Sequence, residues 1–174
     1  MKLKIAGTVK ESVVDGPGIR FVIFTQGCPH NCVGCHNPKT HDPAQGTVTT
    51  TEALLAEIAN AKLIRGITFS GGEPFLQPEP LTIIAEQTKA FNLNIVTYSG
   101  YTFEKLLVMA ASDKAVERLL KHTDLLVDGP YLEAERDISL AFRGSRNQRL
   151  VDVKKSLVSG HAVLWSPTET DNGI

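Results

Sequence analysis

The chain has 174 residues, of which 42% are hydrophobic and 21% are charged, and its formal net charge is -1 at pH 7. This length is typical of one compact domain, so we predict a single domain over 1–174, with its core at about 9–165 and a polar tail at 166–174. No apolar run reaches the roughly 20 residues of a membrane span, and the charge argues against a broad nucleic-acid surface. We therefore expect neither a membrane nor a nucleic acid as a partner.

Two features of the sequence bear on the cellular compartment of the protein: its N-terminus and its cysteines. The N-terminus carries basic residues without the apolar stretch and small-residue cleavage site of a secretion signal. The three cysteines, Cys28, Cys32 and Cys35, fall within eight residues, which suits a metal centre better than a disulfide framework. Both observations predict a cytoplasmic protein.

Short strand-like runs alternate with helix-like stretches from the beginning of the chain to its end. This alternation is typical of repeated β-α units around a parallel sheet, and runs that are apolar on both faces are typical of parallel strands. We therefore predict an α/β fold with about five or six parallel strands. The predicted strands are 20–25, 67–70, 94–98, 124–128 and 148–153, with flanking strands near 3–9 and 162–165.

Capping residues mark the starts of the predicted helices. Thr49 and Glu52 have the spacing of a capping box before an apolar helix face, and Asp113 is a candidate N-cap. Apolar residues that recur every three or four positions predict further helices near 81–88 and 103–111.

Residues suited to ligand binding follow the ends of four predicted strands. The cysteines follow 20–25, and turns containing Gly71-Gly72-Glu73, Ser99-Gly100 and Asp128 follow or end the next three strands. Parallel α/β proteins bind ligands at the carboxyl ends of their strands. We therefore predict one ligand site at this edge of the sheet.

The spacing Cys28-x3-Cys32-x2-Cys35 predicts a 4Fe-4S cluster. A cluster with four irons normally takes four thiolates, so three thiolates leave one iron open, like the open coordination position of a catalytic zinc. On spacing alone, a structural zinc with a nearby histidine as its fourth ligand stays an alternative, and the chain would then be a non-catalytic binding module. A catalytic thiol is less favoured, because a nucleophile needs no cluster of three cysteines.

Two motifs resemble those of the radical S-adenosylmethionine (SAM) superfamily. The segment 28–35, CPHNCVGC, resembles its cluster-binding loop, and the segment 70–74, SGGEP, resembles its GGE element. The resemblance implies a partial (β/α) barrel of the radical SAM type, in which SAM chelates the open iron. No catalytic side chain is then required beyond the cluster and SAM.

The same resemblance implies which residues bind the cofactor. Gly71, Gly72 and Glu73 would contact the methionyl amino group of SAM, since glycines admit close approach and Glu73 places charge near an ammonium. Ser99 and Gly100 would contact SAM by the same analogy. Separately, Asp128 at a strand end is a candidate to orient a ribose hydroxyl or a cation, unless it only forms an Asp-Gly turn.

Two further segments resemble the glycyl-radical-enzyme activases. The segment 15–20, DGPGIR, is a turn by local chemistry and also resembles an activase motif. The segment 143–149, RGSRNQR, resembles a stretch of the activators of anaerobic (class III) ribonucleoside-triphosphate reductase, with Arg146 in place of a serine. On local chemistry alone, this basic segment is compatible with binding the SAM carboxylate, an anionic patch of a partner, or only solvent. The predicted loop residues that meet partner or substrate are Asp15, Gly16, Arg20, Arg143 and Asn147.

The resemblance thus implies an enzyme that cleaves SAM reductively. Reduced flavodoxin or ferredoxin would supply the electron, and the 5'-deoxyadenosyl radical would generate a glycyl radical on the large catalytic subunit of the reductase. Activation of another glycyl-radical enzyme, of the pyruvate formate-lyase type, stays an alternative.

Overall fold

A computed structural model of the protein describes residues 1–167, so most of the predicted tail, 168–174, lies outside the described residues. No helix in the described part of the chain is long and apolar enough to cross a membrane. In chain order the strands and helices are β1 (Lys2–Ser12), β2 (Arg20–Thr25), β3 (Thr47–Thr50), α1 (Thr51–Asn60), β4 (Gly66–Gly71), α2 (Pro78–Lys89), β5 (Asn94–Tyr98), α3 (Phe103–Ser112), α4 (Lys114–His122), β6 (Leu125–Asp128), β7 (Arg149–Asp152) and α5 (Val153–Ser159).

The strands form one seven-stranded sheet in the order β3-β1-β2-β4-β5-β6-β7. The central strands β2, β4, β5 and β6 run parallel, whereas β1, β3 and β7 pair antiparallel with their neighbours. The predicted α/β fold is confirmed. Within residues 1–167 four strands are parallel, which corrects the predicted five or six. No α-helix lies between β1 and β2 or between β6 and β7, and parallel neighbours need such a crossover, so these two pairs are antiparallel. The curvature of a partial barrel stays a prediction.

The two faces of the sheet differ in what covers them. Phe21, Phe69 and Ile95 are fully buried in the main core, together with apolar residues from all five helices. The opposite face carries a smaller cluster that includes Val96 and Val127. Burial of such a side chain contributes about 1.5–3 kcal/mol, so the helix-covered face supplies most of the stability. The other face is left for loops and for a ligand.

The starts of α1, α3 and α4 agree with the sequence patterns to within one residue, whereas α2 begins at Pro78, three residues before the predicted 81. Thr50, rather than Thr49, is the N-cap of α1, and its hydroxyl accepts a hydrogen bond from Ala53 N at 3.2 Å. Glu52 instead binds the N-terminal ammonium of Met1. The last predicted strand, 162–165, is reduced to a single bridge, because only Leu164 pairs with β7.

The Asp113 cap gives a direct test of this helix assignment. Its Oδ1 accepts hydrogen bonds from Ala115 N at 2.8 Å and Val116 N at 3.3 Å. Asp113→Ala should lower the free energy of unfolding by about 1 kcal/mol, because these two N–H groups lose their acceptor. Urea unfolding followed by circular dichroism measures the change. Asp113→Asn keeps an acceptor oxygen and is the matched control, so equal losses in both variants would contradict the cap.

Candidate functional site

A cavity of about 580 Å³ opens at the carboxyl edge of the four parallel strands. Residues that follow β2, β4, β5 and β6 all reach it, which is the convergence that the sequence predicts. Among the predicted site residues, the lining includes Cys28, Cys32, Cys35, Asp15, Gly71, Gly72, Ser99, Gly100 and Arg143. The lining does not include the other predicted site residues, which are Gly16, Arg20, Glu73, Asp128 and Asn147.

The cysteine loop is closed by its own backbone. Directly after β2, Gly27 N donates to Thr40 O at 2.8 Å and Cys28 N donates to His41 O at 3.1 Å. Within the loop, Cys35 N donates to Cys32 O at 3.2 Å. These bonds present the three cysteines on one side of a compact loop that faces the cavity.

The sulfur atoms lie in surroundings that suit metal-bound thiolates. All three cysteines are unpaired and partly buried. Burial raises the pKa of the Cys28 thiol, and backbone hydrogen bonds from His30 and Asn31 oppose that shift. Asn37 N donates to Cys35 Sγ at 3.4 Å. Backbone N–H groups directed at cysteine sulfurs are a recognised means of tuning iron-sulfur clusters.

The spacing of the thiols bears on which metal group fits. They share one cavity, yet within residues 1–167 no three histidine, cysteine or carboxylate side chains converge on a single metal-ion position. A structural zinc needs four ligands around one ion, whereas in a cubane each cysteine binds a different iron. Three thiols that share one cavity wall suit a cluster that takes one thiolate per iron.

Gly71 and Gly72 are required by the packing of the backbone itself. Gly71 has a φ of 92°, and a Cβ there would meet the Phe24 backbone at 2.7 Å. A Cβ on Gly72 would collide with Gly27 O. Gly72 N donates to Thr25 O at 2.9 Å, which fixes this approach. Only glycines let the turn after β4 lie directly against the start of the cysteine loop.

Glu73 does not line the cavity, in contrast to the expectation that it lies beside the ligand's ammonium. Its side chain is 0% exposed. The carboxylate accepts hydrogen bonds from Phe75 N, Gly100 N and the Ser99 hydroxyl, and His30 Nε2 lies 2.8 Å from Oε2. Protein donors thus occupy the carboxylate in this structure, and the predicted contact of Glu73 with SAM stays a prediction.

Asp128, which is also predicted to bind a ligand, lies among internal groups of the structure. It is fully buried, and its carboxylate accepts from Phe103 N at 2.7 Å and from Arg149 Nε at 3.0 Å. Arg149 also donates to Glu104 at 2.7 Å. Hydrogen bonds to these two carboxylates raise the pKa of Arg149 above its ordinary value. The Asp128 side chain therefore joins β6 to α3 and β7 rather than facing a ribose or a cation.

Arg20 is also internal, which excludes the predicted contact of its side chain with a partner. It is 0% exposed and donates to Thr68 Oγ1 at 2.7 Å and to Asn94 Oδ1 at 2.7 Å. It also donates to Pro17 O at 3.0 Å, and a Cβ on Gly16 would meet its side chain. Arg20 therefore holds the 15–20 turn against the sheet, while Asp15 alone of the three predicted residues reaches the cavity.

The segment 143–149 folds into a compact turn rather than an extended basic loop. Gln148 Oε1 accepts from Gly144 N at 3.0 Å, and Asn147 Nδ2 donates to Pro130 O at 2.8 Å. Arg143 donates to Gln148 O at 3.1 Å and lines the cavity. Its Nε is buried and has no hydrogen-bond partner within the described residues. Arg143 thus has spare donor capacity at the cavity.

Several lining residues carry no sequence signal of ligand binding. Val13, Val14 and Ile138 are at least 70% exposed and lie at the cavity. Tyr98 also lines it and donates to Phe142 O at 2.9 Å. Burial raises the pKa of Tyr98 above its ordinary value. In the sequence Tyr98 is only the last residue of an apolar strand. Strand alternation, which directs its side chain to the sheet face that the helices do not cover, was the one available indication that Tyr98 lines the cavity.

Comparisons with known proteins agree with this geometry. The family described as "4Fe-4S single cluster domain" matches residues 14–151. The chain belongs to this family. The prediction of a 4Fe-4S cluster as a cofactor is confirmed, and the prediction of an activating enzyme agrees with the names of the relatives. The zinc alternative is not supported.

The relatives of this 4Fe-4S protein are activating enzymes. It is 33% identical over 145 residues to the anaerobic ribonucleoside-triphosphate reductase-activating protein of Vibrio cholerae, covering 78% of this chain and 89% of that protein. The protein of the same name from Haemophilus influenzae is 31% identical over 144 residues, with 78% and 89% covered. The pyruvate formate-lyase-activating enzyme of Clostridium pasteurianum is 40% identical over 172 residues, with 92% and 67% covered.

The reassignment of Asp128 is testable by separating stability from ligand binding. Asp128→Asn keeps one acceptor for Phe103 N but weakens the charged pair with Arg149. We expect the free energy of unfolding to fall by about 1.5–3 kcal/mol, because a hydrogen bond to a charged group is lost. SAM affinity of the folded protein should stay unchanged. A stable variant with weakened SAM binding would contradict the internal role.

Proposed function

We propose that the chain activates anaerobic ribonucleoside-triphosphate reductase. The three cysteines would hold a 4Fe-4S cluster, which, given one electron from an external reductant, would supply reductive cleavage of bound SAM to methionine and the 5'-deoxyadenosyl radical needed to take a hydrogen atom from a glycine of the large catalytic subunit of the reductase. The observation that carries the proposal is the single cavity that joins the three cysteines to the ends of the parallel strands. The proposed activity is further supported by two relatives whose names state it.

The cysteines Cys28, Cys32 and Cys35 are the proposed ligands of the cluster. Their loop offers no fourth cysteine, since the sequence contains only these three. One iron is thereby left for another ligand, which the amino and carboxylate groups of SAM can provide. The chain's own contribution is to hold the three thiolates at one wall of the cavity.

The proposed SAM contacts come from the turns after β4 and β5. Gly71, Gly72, Ser99 and Gly100 line the cavity and bring backbone groups to its surface. Ser99 Oγ is already engaged with Glu73 and with Tyr101 N, which leaves it little capacity for a ligand. Backbone groups at these turns are therefore the better candidates for polar contact with SAM.

Arg143 is the proposed partner of an anionic group in the cavity. Its guanidinium has an unused buried donor at Nε, and a carboxylate is the natural acceptor for such a group. SAM brings a carboxylate to this site. The pairing would also satisfy a donor whose burial is otherwise costly.

The face of the sheet that the helices do not cover suits a macromolecular substrate. The helices pack on the opposite face, and exposed apolar side chains of Val13, Val14 and Ile138 stand at the cavity. A protein segment inserted over these residues would bury them and exclude water from a reactive radical. The electron donor, reduced flavodoxin or ferredoxin, and the cytoplasmic location stay predictions.

A second candidate is activation of pyruvate formate-lyase. The 40% identity over 172 residues to the Clostridium pasteurianum enzyme favours it. The alignment covers 67% of that enzyme, against 89% of the Vibrio cholerae reductase activator, so the similarity extends over more of the reductase activator's own length. The reductase therefore stays the main proposal.

Electron paramagnetic resonance can decide between the two partners. The anaerobically reconstituted protein, SAM and a chemical reductant are mixed with the reductase large subunit or, separately, with pyruvate formate-lyase. We expect a protein glycyl signal on the reductase and release of 5'-deoxyadenosine. Alanine at Cys28, Cys32 or Cys35 should abolish both, because a thiolate ligand of the cluster is lost.

Each other outcome of that experiment has a defined meaning. A glycyl signal only on pyruvate formate-lyase would replace the main proposal with the second one. Release of 5'-deoxyadenosine without a signal on either protein would indicate a small-molecule substrate. SAM cleavage that survives all three cysteine replacements would sink the assignment of the cluster ligands.

The proposed role of Arg143 predicts a selective loss of SAM affinity. Arg143→Gln should weaken SAM binding to the cluster-loaded protein by about ten- to a hundredfold, because a charge-assisted hydrogen bond is lost. Arg146→Gln is the matched control, since the Arg146 side chain is 61% exposed and lies 3.9 Å from Asp137. Equilibrium dialysis with labelled SAM measures both. Equal affinities in the two variants would rule out the proposed pairing.

A further inference from the structure

The Glu73 carboxylate connects three separate segments of the site. Its Oε1 accepts from Phe75 N at 3.0 Å within its own turn, and its Oε2 accepts from Gly100 N at 2.9 Å after β5. The Ser99 hydroxyl donates to the same carboxylate at 3.0 Å. The third segment is the cysteine loop, through His30 Nε2 at 2.8 Å from Oε2.

The His30 ring is also enclosed by residues that follow β5. Its ring meets Tyr101 edge-on, with centroids 4.5 Å apart and an interplanar angle of 73°. A Cβ on Gly100 would collide with the His30 ring, so glycine at this position is what admits it. The His30 side chain is only 15% exposed. His30 is therefore fixed by a hydrogen bond and by packing on two sides.

Because His30 belongs to the cysteine loop, its contacts also restrain the proposed metal site. It lies midway between Cys28 and Cys32, so whatever fixes its side chain also fixes the backbone that carries those two cysteines. A fully buried carboxylate whose oxygens all accept hydrogen bonds is a rigid support. If one donor is removed, a buried polar group loses its partner, and no solvent can replace it.

We propose that Glu73 and His30 form a clamp that positions the cysteine loop before and after cluster binding. Glu73 is then a positioning residue for Cys28 and Cys32 and not a ligand of SAM. The inference rests on the proposed role of the cysteines as cluster ligands. It explains why Glu73 is fully buried although the adjacent Gly72 lines the cavity.

The clamp is tested first in the metal-free, reduced protein, where neither cluster nor SAM contributes. The variants are His30→Ala, Gly100→Ala and Glu73→Gln, with His161→Ala, on the exposed surface beyond α5, as the control. We expect the three clamp variants to react with a thiol-specific reagent about fivefold faster or more, because the cysteine loop opens more often. The control should react at the wild-type rate.

The second measurement uses the cluster-loaded protein in the absence of SAM. The clamp predicts an altered electron paramagnetic resonance spectrum and a shifted midpoint potential in all three variants, since the geometry of the ligands changes. His30→Gln, which retains a donor for Glu73, should restore part of the wild-type spectrum. The double variant Gly100→Ala/His30→Ala should behave like His30→Ala alone, because the collision is with the His30 ring.

A different pattern would overturn the clamp. If His30→Ala and Gly100→Ala match the wild type in thiol reactivity and in the SAM-free spectrum, and only Glu73→Gln loses SAM affinity, Glu73 is a SAM ligand. Circular dichroism of each variant separates these outcomes from general unfolding. Failure of the wild-type protein to load iron would remove the proposed function, while the thiol reactivities would still decide whether the clamp exists.

Discussion

The close approach of two backbone segments, the end of β2 and the turn after β4, determines where the site forms. Gly72 N and Glu73 N donate to Thr25 O and Gly27 O at 2.9 and 2.8 Å, so the glycine turn lies directly on the start of the cysteine loop. Parallel pairing of β2 with β4 brings these two ends to the same edge. The glycines are needed because a side chain at either position would enter the β2 backbone or the loop after it.

The cysteine loop is supported on both of its flanks. On the β5 side, His30 packs against Gly100 and Glu73. On the β6 side, a Cβ on Gly34 would collide with the Glu133 carboxylate, and the His36 ring lies 5.1 Å from that of Tyr131. A loop that must present three thiolates to one cluster gains precision from such supports, since irregular backbone has few hydrogen bonds of its own. The scaffold therefore organises the loop through side chains from neighbouring strand ends.

The two faces of the sheet have different tasks: one builds the core, and the other leaves space for the cofactors. All five helices pack on one face and build the main core. Within residues 1–167, the other face carries a small apolar cluster and the loops around 13–18 and 138–143. Arg20 supports the loop around 13–18 through Pro17 O, and Asp128 holds β6 to α3 and β7, because buried charges must be paired or hydrogen-bonded. The stabilising charges and the ligand-facing groups are thus different residues.

The sequence by itself determined the α/β fold, the Asp113 cap and the 4Fe-4S cluster, because strand alternation, capping residues and cysteine spacing are local patterns. It also placed Gly71, Ser99 and Arg143 at the correct edge. Only the tertiary structure decided that β1 and β7 run antiparallel, and that Glu73 and Asp128 turn away from the cavity. The direction of a side chain at a strand end depends on donors from distant segments, and no local pattern records which donors those are.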